Sequence, residues 1–199
     1  MIARVPVFVC GDSSRGDDAA GLAAVELLPP DVRARAEVTA VGQLDVLLLL
    51  DLPADAPCVV VDAVAGLPPG ETWVRPLAAL VDRARGLADA GRAPEPRSSH
   101  ELPLDQVLAL AATLRERPPA GTFVGIGGSC WDLGAPLSPA VAAALPAFAA
   151  AIATAVDAAA GAAAAAGAAA AAGAAAGAAA AEGAAGGGVP VEEVADRPG

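Results

Sequence analysis

The chain has no lysine, no tyrosine and no asparagine, and it has a single histidine, His100. Every basic residue is therefore an arginine, and the 12 of them face 23 acids, for a formal net charge of −11. Such a charge repels polyanions and excludes nucleic acid or an anionic membrane surface as a partner. With so much Ala, Gly, Arg and Pro, the missing residue types are read as a coding bias rather than a functional choice. The three cysteines, Cys10, Cys58 and Cys130, are far apart in sequence. That spacing excludes a disulfide framework and points to a cytoplasmic protein. No neighbouring residues support Cys10 or Cys130 as a nucleophile. The start, MIARVPVFVC, runs into a short strand and a polar loop and does not read as a signal peptide. The mean hydropathy of +0.54 is inflated by alanine. No run of Leu, Ile, Val and Phe reaches the length of a membrane span.

What is present is organised most clearly between Val5 and Leu28. Val5 to Cys10 is a short apolar run rich in β-branched and aromatic residues, as in a central parallel strand. Gly11 ends it, and the polar loop leads to Asp17 and Asp18, where a helix begins. Leu22, Val25 and Leu28 recur at helical spacing over a helix expected at about 17–28. Strands are expected also near 36–41, 57–63, 71–76 and 122–126, that at 71–76 as a hairpin partner of that at 57–63. A helix or turn covers 44–50, a short helix Leu77–Leu87, and longer helices about 103–117 and from Ser138-Pro139 onward. Pro29-Pro30 is read as a stop to the first helix. Alternating strands and helices imply an α/β fold, a three-layer αβα sandwich on a largely parallel, mixed sheet of about five strands.

Two parts follow from composition. Residues 1–157 form the domain. Residues 158–199 are an Ala/Gly-rich low-complexity tail, expected to be disordered or a frayed helix because each interior glycine costs about 1 kcal/mol against alanine. Its Gly173 and Gly177 make a GxxxG of the kind that occurs by chance in such sequence.

Three residues stand out for chemistry. Asp18 follows the first strand, Asp62 closes the apolar run Cys58-Val59-Val60-Val61, and His100 lies in RSSHELPL before a helix. In an open α/β sheet, ligands bind at the carboxyl ends of strands. Two carboxylates and an imidazole from three segments could hold a metal, although no HExxH spacing or cysteine pair supports it. The simpler reading is that the acids cap a helix in an unrelated ligand-binding domain, and Asp17 is read as such a cap.

Four segments in order add to this: GDSSRGDDAAG after the first strand, VVVDAV, SSHELPL, and LGAPLSPAVAAALP in the last helix. Together they resemble the hydrogenase maturation endopeptidase family over about residues 4–156. The resemblance implies an aspartyl-type endopeptidase that removes the C-terminal extension of a nickel–iron hydrogenase large-subunit precursor after nickel insertion. It implies catalytic and metal-contacting roles for Asp18, Asp62 and His100. The nickel is supplied by the substrate and there is no organic cofactor. The partner implied is the nickel-loaded precursor, with no nucleic acid or membrane, and the protease is expected to be a monomer. Where the family has Gly-Asn after the first strand, this chain has Gly11-Asp12. Ala19 stands in place of a glycine after the acid pair, and Gly127-Gly128 where an acid or amide often follows. Asp12 and Gly127 favour an alternative, a catalytically impaired member that acts as a binding checkpoint for the nickel-loaded precursor.

Overall fold

The computed structural model describes residues 4–92 and 102–185, with side chains to Ala174. His100 lies outside the described residues. The chain opens with β1 (Val5–Cys10), a one-turn 3-10 helix (Gly16–Ala19), α1 (Ala20–Val25), α2 (Pro30–Arg35) and β2 (Ala36–Val41). Then come α3 (Val46–Leu50), β3 (Cys58–Val64), β4 (Thr72–Pro76), α4 (Leu77–Asp89), α5 (Leu104–Leu114), β5 (Gly121–Gly127) and α6 (Pro139–Ala185). The sheet order is β2-β1-β3-β5-β4. All neighbours are parallel except the edge strand β4, which pairs antiparallel with β5.

Side-chain alternation along the strands builds both cores. Val7, Val9, Val59, Val61, Val124 and Ile126 face α1, α2 and α6. Phe8, Cys10, Cys58, Val60 and Phe123 face α3, α4 and α5. Cys58 to Val61 are all fully buried, as expected for a strand covered on both faces. Each such valine contributes roughly 1.5–3 kcal/mol through burial. The result is the three-layer αβα sandwich on a five-stranded mixed sheet that the alternation of strands and helices predicts.

Three local expectations change. The segment at Thr72–Pro76 is not the hairpin partner of β3, because β1 and β5 already occupy both edges of β3. It pairs with β5 instead, with Trp73 opposite Gly125. Pro29-Pro30 stops one helix and starts another: Pro30 is the first residue of α2, where a missing N–H costs nothing. The helix expected at 17–28 instead opens with a 3-10 turn at Gly16–Ala19, and its α-helical part, α1, ends at Val25.

The first compact unit runs to Ala163, and α6 buries Ala159 within it. Pro139–Ala174 is long and apolar enough to cross a membrane by length and composition, with mean hydropathy 1.9. Within the first unit, however, Val141, Phe148, Ile152 and Val156 are buried in the domain core. In the second unit, from Ala164, the helix continues through Ala185. Runs of alanine between its glycines have the highest intrinsic helix propensity.

Candidate active site

Asp18, in the 3-10 turn after β1, and Asp62, in β3, lie by the two strands that flank the point where strand order reverses. β1 has β2 on one side and β3 on the other, so the chain's crossovers leave a crevice at their carboxyl ends. Val9 pairs with Val61, which sets Cys10 beside Asp62 at the ordinary inter-strand spacing of about 4.8 Å. Cys10 and Asp62 both fall on the α3–α5 face, alternating with Val9 and Val61 on the other face.

Asp62 is largely enclosed and poorly satisfied. Its Oδ1 accepts one hydrogen bond, from the Ala63 N–H at 2.8 Å. Burial above all, with the Asp18 charge adding to it, pushes its carboxyl up to about 7 against that one bond. The Asp18 charge is thus felt at Asp62. The Cys10 thiol reports the same cleft: burial raises its pKa, and then the charges of Asp62 and Asp18 raise it further. A thiol disfavoured as thiolate is a poor nucleophile. Among the described residues, neither Asp18 nor Asp62 has an arginine ion-pair partner.

Asp18 is held by the loop before it. Its Oδ2 accepts from the Asp12 N–H at 2.7 Å. This closure requires Gly11, whose φ of 117° suits only glycine and where a Cβ would stand 2.1 Å from the Asp18 carbonyl oxygen. The Asp12 side chain points elsewhere. It accepts from the Ser14 N–H (2.8 Å) and hydroxyl (2.6 Å) and lies 3.7 Å from Arg15. Position 12 therefore serves Asp18 through its backbone, which Asp and Asn share. Gly127 also has a structural reason: a Cβ there would lie 2.1 Å from the Pro68 carbonyl oxygen, so no acid or amide fits. Both departures that favoured a checkpoint protein leave the Asp18–Asp62 cleft intact.

Asp17 is not the helix cap it resembles in sequence. It is fully buried, and the 3-10 helix has no side-chain cap. Its Oδ2 accepts from the backbone N–H groups of Ser129 (2.8 Å) and Cys130 (3.0 Å), and its Oδ1 from Ser138 N–H (2.6 Å). Burial raises its pKa, but the bonds from Ser129, Ser138 and Cys130 outweigh that and hold the carboxyl below its ordinary range. Backbone bonds from Asp17 to Cys130 (2.8 Å), Gly16 to Ala135 (3.1 Å) and Gly134 to Ser14 (2.6 Å) join the same two loops. Asp17 thus anchors the platform on which Asp18 stands. Sequence reasoning missed it because its partners lie more than 110 residues away.

The third predicted member, His100, lies outside the described residues. Among the described residues, no three His, Cys, Asp or Glu side chains come together as a metal-binding group. Leu104 and Asp105, four and five residues after His100, line the same cavity as Asp62.

No protein-family model matches the chain, and no curated protein matches it. Solved structures do. The [NiFe] hydrogenase maturation protease HybD from Thermococcus kodakarensis superposes with a TM-score of 0.51 at 22% identity, over 75% of this chain and 96% of that one. The hydrogenase maturating endopeptidase HybD from E. coli gives 0.52 at 22% identity, over 75% and 89%. The [NiFe] hydrogenase maturation protease HycI from Thermococcus kodakarensis KOD1 gives 0.51 at 19%, over 78% and 93%. These likenesses establish that the domain has the fold of those maturation proteases, spanning nearly their whole length.

Proposed function

We propose that the chain is an endopeptidase that removes the C-terminal extension of a nickel–iron hydrogenase large-subunit precursor once nickel is in place. The observation that carries this is the pair of carboxylates at the β1/β3 crevice, neither of which has an ion-pair partner among the described residues. A largely enclosed carboxyl with one hydrogen bond and a like charge nearby is costly to ionise. A divalent ion arriving with the substrate supplies the missing positive charge. Two further supports are the ordered segments GDSSRGDDAAG, VVVDAV, SSHELPL and LGAPLSPAVAAALP, and a fold shared with named maturation proteases.

In this reading Asp18, Asp62 and His100 approach the nickel that the precursor already holds, so the protease needs no resident metal or organic cofactor. Imidazole and carboxylate both suit nickel. The substrate's nickel orients the scissile segment and polarises its carbonyl. A carboxylate of the pair takes the proton from the attacking water, which makes the chemistry aspartyl in type. The protease acts as a monomer in the cytoplasm, away from membranes, a reading that its three free cysteines support.

The experiment is to incubate the protein with nickel-loaded and nickel-free precursor from the same genome and follow intact mass. Loss of a C-terminal fragment from the loaded form alone is expected. His100→Ala should abolish that loss. Normal processing by this variant would remove the histidine from the mechanism and leave the two acids as a carboxylate pair. No processing of either precursor by the wild-type protein would overturn the proposal.

A further inference from the structure

A cavity of about 230 Å³ opens beside Asp62 on the α3–α5 face of the sheet. Its wall is apolar: Val64 and Phe123 from the central strands, Trp73 from the edge strand, Leu80 from α4 and Leu104 from α5. The two rings that form part of it are fixed in an edge-to-face pair with centroids 5.8 Å apart. Its polar lining besides Asp62 is Arg83 and Asp105. Asp105 accepts a hydrogen bond from the Gln106 N–H. Arg83 is exposed and has no ion-pair partner among the described residues. The cavity therefore offers an apolar interior, one unengaged guanidinium, and a wall shared with the proposed catalytic acid.

Size narrows the occupant. A cavity of about 150 Å³ takes a benzene ring, so this one takes a single large side chain and little else. Its continuity with Asp62 sets that side chain next to the peptide bond the acids address. We infer that the cavity is a specificity subsite for one large apolar side chain of the polypeptide substrate, with Arg83 receiving a carboxylate on the same segment. This rests on the endopeptidase reading for its purpose, while its binding chemistry can be tested without any cleavage.

The test uses the full-length protein and four small probes: N-acetyl-phenylalanine, its amide, N-acetyl-leucine amide and N-acetyl-lysine amide. Binding is followed by NMR at the Trp73 indole N–H, with Trp131, which does not line the cavity, as internal control. Fragments of about 15 heavy atoms bind such a pocket in the millimolar range. The phenylalanine and leucine probes should shift Trp73 and leave Trp131 unmoved, and the free acid should bind several-fold better than the amide. Ala65→Trp, at an exposed position that also lines the cavity, should weaken both apolar probes at least tenfold with an unchanged melting temperature. Arg83→Gln should erase only the difference between acid and amide. No Trp73 response to any probe, or strongest binding of the lysine probe, would overturn the subsite. Because none of these readouts needs a cut, a protein that binds the probes but leaves the precursor whole would instead count against the endopeptidase reading.

Discussion

Asp17 and Asp62 are both carboxylates withdrawn from water at the carboxyl edge of the same sheet, and their surroundings treat them in opposite ways. Three backbone N–H groups converge on Asp17 and hold its pKa down. One reaches Asp62, whose carboxyl is pushed up to about 7. A satisfied buried acid stabilises the fold, and an unsatisfied one weakens it. A protein keeps the second kind where a ligand will complete it, which is why perturbed acids gather at functional sites. Asp17 is the sequence neighbour of Asp18, yet it ties two loops together while Asp18 stands at the cleft with Asp62.

The largest effect expected is catalytic. Asp62→Asn and Asp18→Asn should each lower the rate of precursor processing by about 10²–10⁴, the usual contribution of a positioned acid or base. Asp17→Asn should retain measurable activity in the fraction that folds. A loss of activity in Asp17→Asn as deep as in Asp62→Asn, with the fold intact, would erase the contrast between the two acids.

Stability should change in the reverse sense. Asp17→Ala leaves three inward-facing N–H groups without their acceptor and should cost about 3 kcal/mol or more. In a domain of this size that lowers the melting temperature by roughly 6–12 °C. A change of less than about 2 °C would mean that the tie between the two loops rests on the backbone bonds alone.

The pH dependence isolates Asp62. Folded, its carboxyl titrates at about 7; unfolded, it titrates near 3.9. Below about pH 4 both states keep the proton and the group adds no slope. Between about 4 and 7 the unfolded chain releases the proton while the folded chain retains it, so stability falls as pH rises. Asp62→Asn removes that loss. Urea unfolding should find this variant near parity with wild type at pH 4 and about 2–4 kcal/mol more stable at pH 8. Asp17→Asn, whose folded carboxyl is held low, should show no such gain at high pH.

The smallest effect belongs to Asp12. Because its backbone N–H holds Asp18 and its side chain is exposed, Asp12→Asn should change stability by less than about 0.5 kcal/mol and processing by no more than about twofold. A large gain in rate would show that the acid at this position impairs the site.

Much of the fold was legible because hydrophobic period is local. Val5–Cys10 and Cys58–Val61 read as buried strands, and Leu22, Val25 and Leu28 as a helix face. Asp18 and Asp62 were legible as acids where such strands give out. What escaped depends on distant partners. Thr72–Pro76 is a strand by its residues, but its place beside β5 is decided by which edges β3 leaves free. Asp17 looks like a cap because two acids open a helix, and only the return of Ser129, Cys130 and Ser138 distinguishes it from Asp18. Pro30 was read as a breaker because proline ends one helix by the same geometry with which it begins the next.

The most direct test of the contrast is an intact-mass time course on nickel-loaded precursor with wild type, Asp17→Asn and Asp62→Asn, each shown to be folded at the assay temperature. The expected result is C-terminal mass loss with wild type and with Asp17→Asn, and none over the same period with Asp62→Asn, although Asp62→Asn is the most stable of the three above pH 7. Processing by Asp62→Asn at the wild-type rate would contradict it.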